Sequence, residues 1–113
     1  MKPGVVYTAG NDPNHLLGRP NGYTSKASFT DSRIKASSIK DTSSGSVDRG
    51  GSVEVYPDQA GAAARKKYID DTMKAAPILG TEYLYIDGPV LLRLSQLLTP
   101  DQAAQYQTAL QAN

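Results

Sequence analysis

The chain has 113 residues, the size of a single domain, and folding at that length removes roughly 65% of the unfolded chain's surface from water. It contains no cysteine, which excludes disulfides, thiol catalysis and cysteine-zinc sites. Its 12 basic and 11 acidic residues leave a formal charge of +1, which weighs against nucleic acid as a partner, since binding phosphate usually needs a basic face.

Residues 1–22 are dense in turn formers (Pro3-Gly4, Gly10 to Asn14, Gly18, Pro20 to Gly22) and read as an irregular N-terminal arm, pinned by Leu16 and Leu17. The domain proper then spans 23–113. Over residues 23–34, Tyr23, Ser25, Ala27 and Phe29 alternate with Thr24, Lys26, Ser28 and Thr30, the pattern of a half-buried strand. Residues 35–51 are rich in Ser, Asp and Gly and offer so little apolar surface that a flexible loop is expected. Ser52–Tyr56 reads as a second strand. Pro57-Asp58 opens a helix to about Ala76, with Asp58 at the N-cap or first turn and Pro77 as the stop. Asp70 and Lys74 on its polar face are ordered for an i,i+4 pair. Glu82–Ile86 and Val90–Leu94 form two strands about the hairpin signal Asp87-Gly88, with Val90, Leu92 and Leu94 the most buried set. Thr99-Pro100-Asp101-Gln102 is a capping box with Pro at the first helical position. It starts a helix whose inner stripe is Ala103, Tyr106, Gln107 and Leu110 and which frays at Asn113.

The order β-β-α-β-β-α specifies an α+β fold. The simplest form has two layers: one mostly antiparallel four-stranded sheet with both helices on one face. No run approaches the ~20 apolar residues that span a bilayer, and no segment reads as a signal peptide.

Residues that carry chemistry are few. His15 is the only histidine; beside Asp12 and Asn14 in a turn-rich arm it reads as a local hydrogen-bonding group. No second His or Cys completes a transition-metal site. The serines lack a Gly-x-Ser-x-Gly elbow, and Gly50-Gly51 precedes a strand instead of opening a helix, so it is a turn and not a phosphate loop. Asp70 and Asp71 diverge by 100° on a helix and form no dyad. No catalytic residue, metal or cofactor is assigned. Arg65 falls inside the apolar arc of its helix, so its head must reach a carboxylate, backbone carbonyls or a bound anion. The sheet face away from the helices carries Thr24, Lys26, Ser28, Thr30, Glu54, Tyr56, Leu91 and Arg93, joined by Tyr83 and Tyr85 if Leu84 and Ile86 point inward. Tyr and Arg are common binding anchors. The candidate binding residues are therefore Lys26, Tyr56, Arg65, Tyr83, Tyr85 and Arg93.

The segments Asp12-Pro13-Asn14-His15-Leu16-Leu17-Gly18-Arg19-Pro20-Asn21-Gly22-Tyr23-Thr24-Ser25-Lys26, Gly51-Ser52-Val53-Glu54-Val55-Tyr56-Pro57, Tyr83-Leu84-Tyr85, Val90-Leu91-Leu92-Arg93-Leu94 and Leu98-Thr99-Pro100-Asp101-Gln102-Ala103 resemble small secreted lipoproteins of actinobacteria, a group with no established activity. The likeness covers about residues 11–110. In such proteins this domain follows a signal peptide and a lipidated cysteine, so a place at the cell surface, and membrane attachment through a lipid anchor alone, are implied by the resemblance. The expectation is a non-enzymatic binding or interaction module of an exported protein, with a cell-envelope protein or a small ligand as partner. The alternatives are a small secreted hydrolase using His15 with a serine, and a surface protein that blocks phage or plasmid uptake.

Overall fold

A computed structural model describes residues 1–112; the expected fraying at Asn113 lies outside them. The described residues form an α+β domain around one antiparallel sheet of five strands: β1 (Lys2–Val6), β2 (Ser25–Thr30), β3 (Gly50–Val55), β4 (Glu82–Asp87) and β5 (Val90–Ser95), in the order β1-β2-β3-β5-β4. Two helices, α1 (Gln59–Ala75) and α2 (Pro100–Gln111), complete it. β5 is inserted between β3 and β4, so β3 and β4 run the same way on either side of it, joined through α1.

The local signals act as their chemistry dictates. The Asp58 side chain accepts from the Gly61 N–H at 2.9 Å and caps α1. Thr99 and Gln102 close a reciprocal capping box on α2, at 3.2 and 3.0 Å. The β4–β5 hairpin turns after Asp87 through Gly88, whose φ of +56° favours glycine. On the polar face of α1, Asp70 pairs with Lys66 at 2.8 Å, one turn earlier than the expected Lys74.

Three expectations are corrected. The sheet has a fifth strand, because Lys2–Val6, read as part of an irregular arm, pairs with β2. Pro3 is tolerated there because β1 is an edge. Its register breaks between Pro3 and Val6, where the Val5 N–H donates to the Ser28 hydroxyl at 2.7 Å. Second, β2 is shorter than residues 23–34, and Gly50-Gly51 of the expected loop belong to β3.

Third, the helices lie on opposite faces of the sheet, giving three layers. Ala103, Tyr106 and Leu110 of α2 pack on Phe29, Val53, Leu92 and Leu94. Ala62, Ile69 and Met73 of α1 pack on Tyr56, Leu84, Ile86 and Leu91. Successive strand residues point to opposite faces, so Leu91 and Leu92 belong to different cores. Both faces of β5 are apolar enough to need a cover, and burying each of these leucines contributes about 1.5–3 kcal/mol.

Candidate functional site

The face beneath α1, expected to be open, encloses a cluster of charges. Glu54, on the central strand β3, is fully buried. Its Oε1 accepts from the Tyr56 hydroxyl at 2.8 Å and from Arg65 Nε at 3.4 Å. Its Oε2 accepts from Arg93 Nη1 at 2.9 Å and faces Lys26 Nζ at 3.4 Å. Arg93 also grips Glu82 with Nε and Nη2, both at 2.8 Å, in the two-pronged geometry that fits a guanidinium to a carboxylate. Cross-strand pairing brings these residues together: Lys26 lies opposite Glu54, and Arg93 of β5 is one strand further on.

Burial alone would raise the pKa of Glu54, but the charges of Arg93, Lys26 and Arg65 outweigh it and hold the carboxyl below its ordinary value. Burial pulls Lys26 down, and the charge of Glu54 only partly restores it. Burial and the adjacent Glu54 push the Tyr56 phenol up, so it stays a donor.

Lys26 is loosely paired. It is 7% exposed. Its ammonium has three N–H donors and one anionic partner, at a distance longer than the 2.7–2.9 Å or so of a good charge-assisted bond. Tyr7 and Tyr23 flank it, with ring centroids at 5.1 and 5.2 Å. Above it opens a cleft of about 470 Å³. Lys26, Glu82 and Arg93 line it, Met73 and Ile78 give it apolar wall, and residues 43–48 also border it. Ile78 is 95% exposed.

Four of the six candidate residues, Lys26, Tyr56, Arg65 and Arg93, thus converge on Glu54. Arg65 finds the carboxylate its position demanded. Tyr83 and Tyr85 do not join them. They lie half-buried on the α2 side, opposite Leu94 and Leu92 in register, with the Tyr83 hydroxyl donating to the Leu98 carbonyl at 3.0 Å. Leu84 and Ile86 face the α1 core as the condition required, but that face is the one Arg93 shares. The sequence places Glu54 on the same strand face as Lys26 and Arg93 without marking it as a site residue, and it does not mark Glu82 at all. The available signal was a lone acid in the apolar run Val53-Glu54-Val55 of a strand that proves central.

His15 is exposed at a positive φ of 54°, its side chain hydrogen-bonding no other described residue. Its neighbour Asp12 is buried and holds the arm: it accepts from the N–H groups of Asn14, Leu16 and Leu17 at 3.0, 2.8 and 3.0 Å and from the Tyr23 hydroxyl at 2.8 Å. Burial raises the Asp12 pKa, but these donors outweigh it and bring it to about 2. On the α2 side, Asp31 accepts from Arg33 and from the Tyr106 hydroxyl, both at 2.7 Å, and ties the chain after β2 to α2. Among the described residues no group of three His, Cys, Asp or Glu is placed to hold a metal ion, and no helix is long and apolar enough to cross a membrane.

No protein-family model, curated protein or solved structure matches this chain.

Proposed function

We propose that the chain is a non-enzymatic binding module whose ligand site is the cleft over Lys26. The observation that carries this reading is the Lys26 ammonium: more than nine-tenths buried, served by one long ion pair, and lining an open cleft. The ammonium has more N–H donors than close acceptors, and an acceptor brought by a ligand would add a charge-assisted bond. Arg93 and Glu82 hold the floor in place through two parallel hydrogen bonds, and a pre-formed site binds without spending affinity on ordering itself. The hydrolase reading needs His15 as a base, and the position of His15 on the arm, with no side-chain bond to a serine among the described residues, favours binding over catalysis.

The test is amide-resolved NMR of the labelled protein against a library of small polar fragments. Saturable shifts should concentrate at residues 43–48, Glu82, Arg93 and Gln96. Fragments that bind only elsewhere, or none that bind, would remove the cleft as a site. Export to the cell surface rests on the resemblance to actinobacterial lipoproteins. Fractionation of cells producing the native gene product tests it: recovery with the envelope supports it, and recovery with the cytosol refutes it.

A further inference from the structure

We propose that the ligand of this cleft is an organic monocarboxylate with an apolar body. The inference rests on the binding reading above and adds the chemical class. Three features of the same cleft converge on it.

The first is charge. Lys26, Arg65 and Arg93 share two carboxylates, Glu54 and Glu82, and the one anion that Lys26 pairs with, Glu54, is divided among all three cations. Asp12 acts on Lys26 through its charge but makes no ion pair with it; its oxygens are taken up by four neutral donors. A buried ammonium whose close anion is shared with two other cations is costly to hold, and a ligand carboxylate would give Lys26 a counter-charge of its own.

The second is donor geometry. Both Nη groups and the Nε of Arg93 are engaged by Glu54 and Glu82, so the cleft offers a point-charge ammonium and no free guanidinium fork. Asp41 and Asp48 line the same cleft, together with Lys40. A dianion such as phosphate would meet those acids with only one buried cation to receive it, whereas a carboxylate matches the single ammonium.

The third is the wall. Ile78 is the most exposed large apolar side chain among those described, and it borders the cleft beside Met73. Its exposure contributes nothing to the core, and a bound apolar body would cover it.

The experiment is an NMR titration of the labelled protein with benzoate, benzyl alcohol and inorganic phosphate, in the native chain and in Lys26→Met and Ile78→Glu. Benzoate should bind saturably at the cleft, and more tightly than benzyl alcohol or phosphate. A hydrogen bond to a charged group is worth about a tenfold change or more in affinity, so Lys26→Met should weaken benzoate by about that factor and leave benzyl alcohol unchanged. Ile78→Glu alters a fully solvated side chain, so the fold survives. It should weaken benzoate comparably by placing a carboxylate at the rim, which keeps the test decisive if Lys26→Met fails to fold. Benzyl alcohol binding as tightly as benzoate would overturn the carboxylate assignment, as would tighter binding of phosphate. Neutral fragments seated in the cleft while benzoate is excluded would overturn this proposal and leave the binding module standing. If no probe or fragment enters the cleft, both readings fall together.

Discussion

Glu54→Gln removes one negative charge from the centre of three cations and changes the side-chain shape very little. The contacts at stake are Arg93 at 2.9 Å and Lys26 and Arg65 at 3.4 Å each. At an effective dielectric of about 20, a unit pair at such a distance attracts by about 5 kcal/mol. Desolvation of the ions already offsets much of that gain. What the substitution exposes is the penalty of leaving buried cations without their anion, about 3–5 kcal/mol when one partner of a buried pair is lost. Gln keeps an oxygen for the Tyr56 hydroxyl, so that bond is not the source of the loss. For a domain of this size the expected fall in Tm is about 12–20 °C. Urea melts at neutral pH measure the free energy. The sign with pH follows from the depressed pKa of Glu54: its contribution is complete above the ordinary glutamate pKa and is lost as pH falls through the lower folded value. The gap between native and variant chains should therefore narrow in acid. A loss below about 1 kcal/mol, or a gap unchanged in acid, would show that the cluster is solvated and would refute the buried-charge account.

The arm offers a second acid-linked test. Asp12→Asn should cost about 2 kcal/mol at pH 7, the worth of a carboxyl brought from 3.8 to about 2, and the native chain should lose that contribution as pH falls toward 2; melts at the two pH values check it. Leu92→Ala, truncating a buried member of the α2 core, should destabilise by about 2–5 kcal/mol in urea melts. The joint replacement of Tyr83 and Tyr85 by Ser should lower stability by about 2 kcal/mol or more, because both rings pack in that core; calorimetry showing an unchanged Tm would put them back on an open face.

What was legible in the sequence was local. The Thr99–Gln102 box, the Asp58 cap, the Pro77 stop and the Asp87-Gly88 turn each act within a few residues, and each stands where its chemistry requires. Parity was harder. In Val90-Leu91-Leu92-Arg93-Leu94 both faces are largely apolar, the mark of a strand covered on two sides, so choosing one buried face for it misplaced a helix. Tyr83-Leu84-Tyr85-Ile86 is ambiguous in the same way, and its alternation alone leaves open which side the tyrosines take. β1 was hidden because its partner lies more than twenty residues away and its own Pro3-Gly4 is a turn signal that only an edge tolerates. Lys26, Tyr56, Arg65 and Arg93 stood out singly. Their convergence on Glu54 depends on register between β2, β3 and β5 and on where α1 docks, none of which a local pattern encodes.

The most direct test of the central claim is an NMR titration of the Lys26 ε-carbon with pH, in the free protein and with saturating benzoate. Burial should make Lys26 lose its proton below the ordinary lysine pKa when the cleft is free, and a bound carboxylate should shift that titration upward. A Lys26 that titrates at the ordinary lysine value, and does not move when benzoate is added, would contradict both the buried floor and the site built on it.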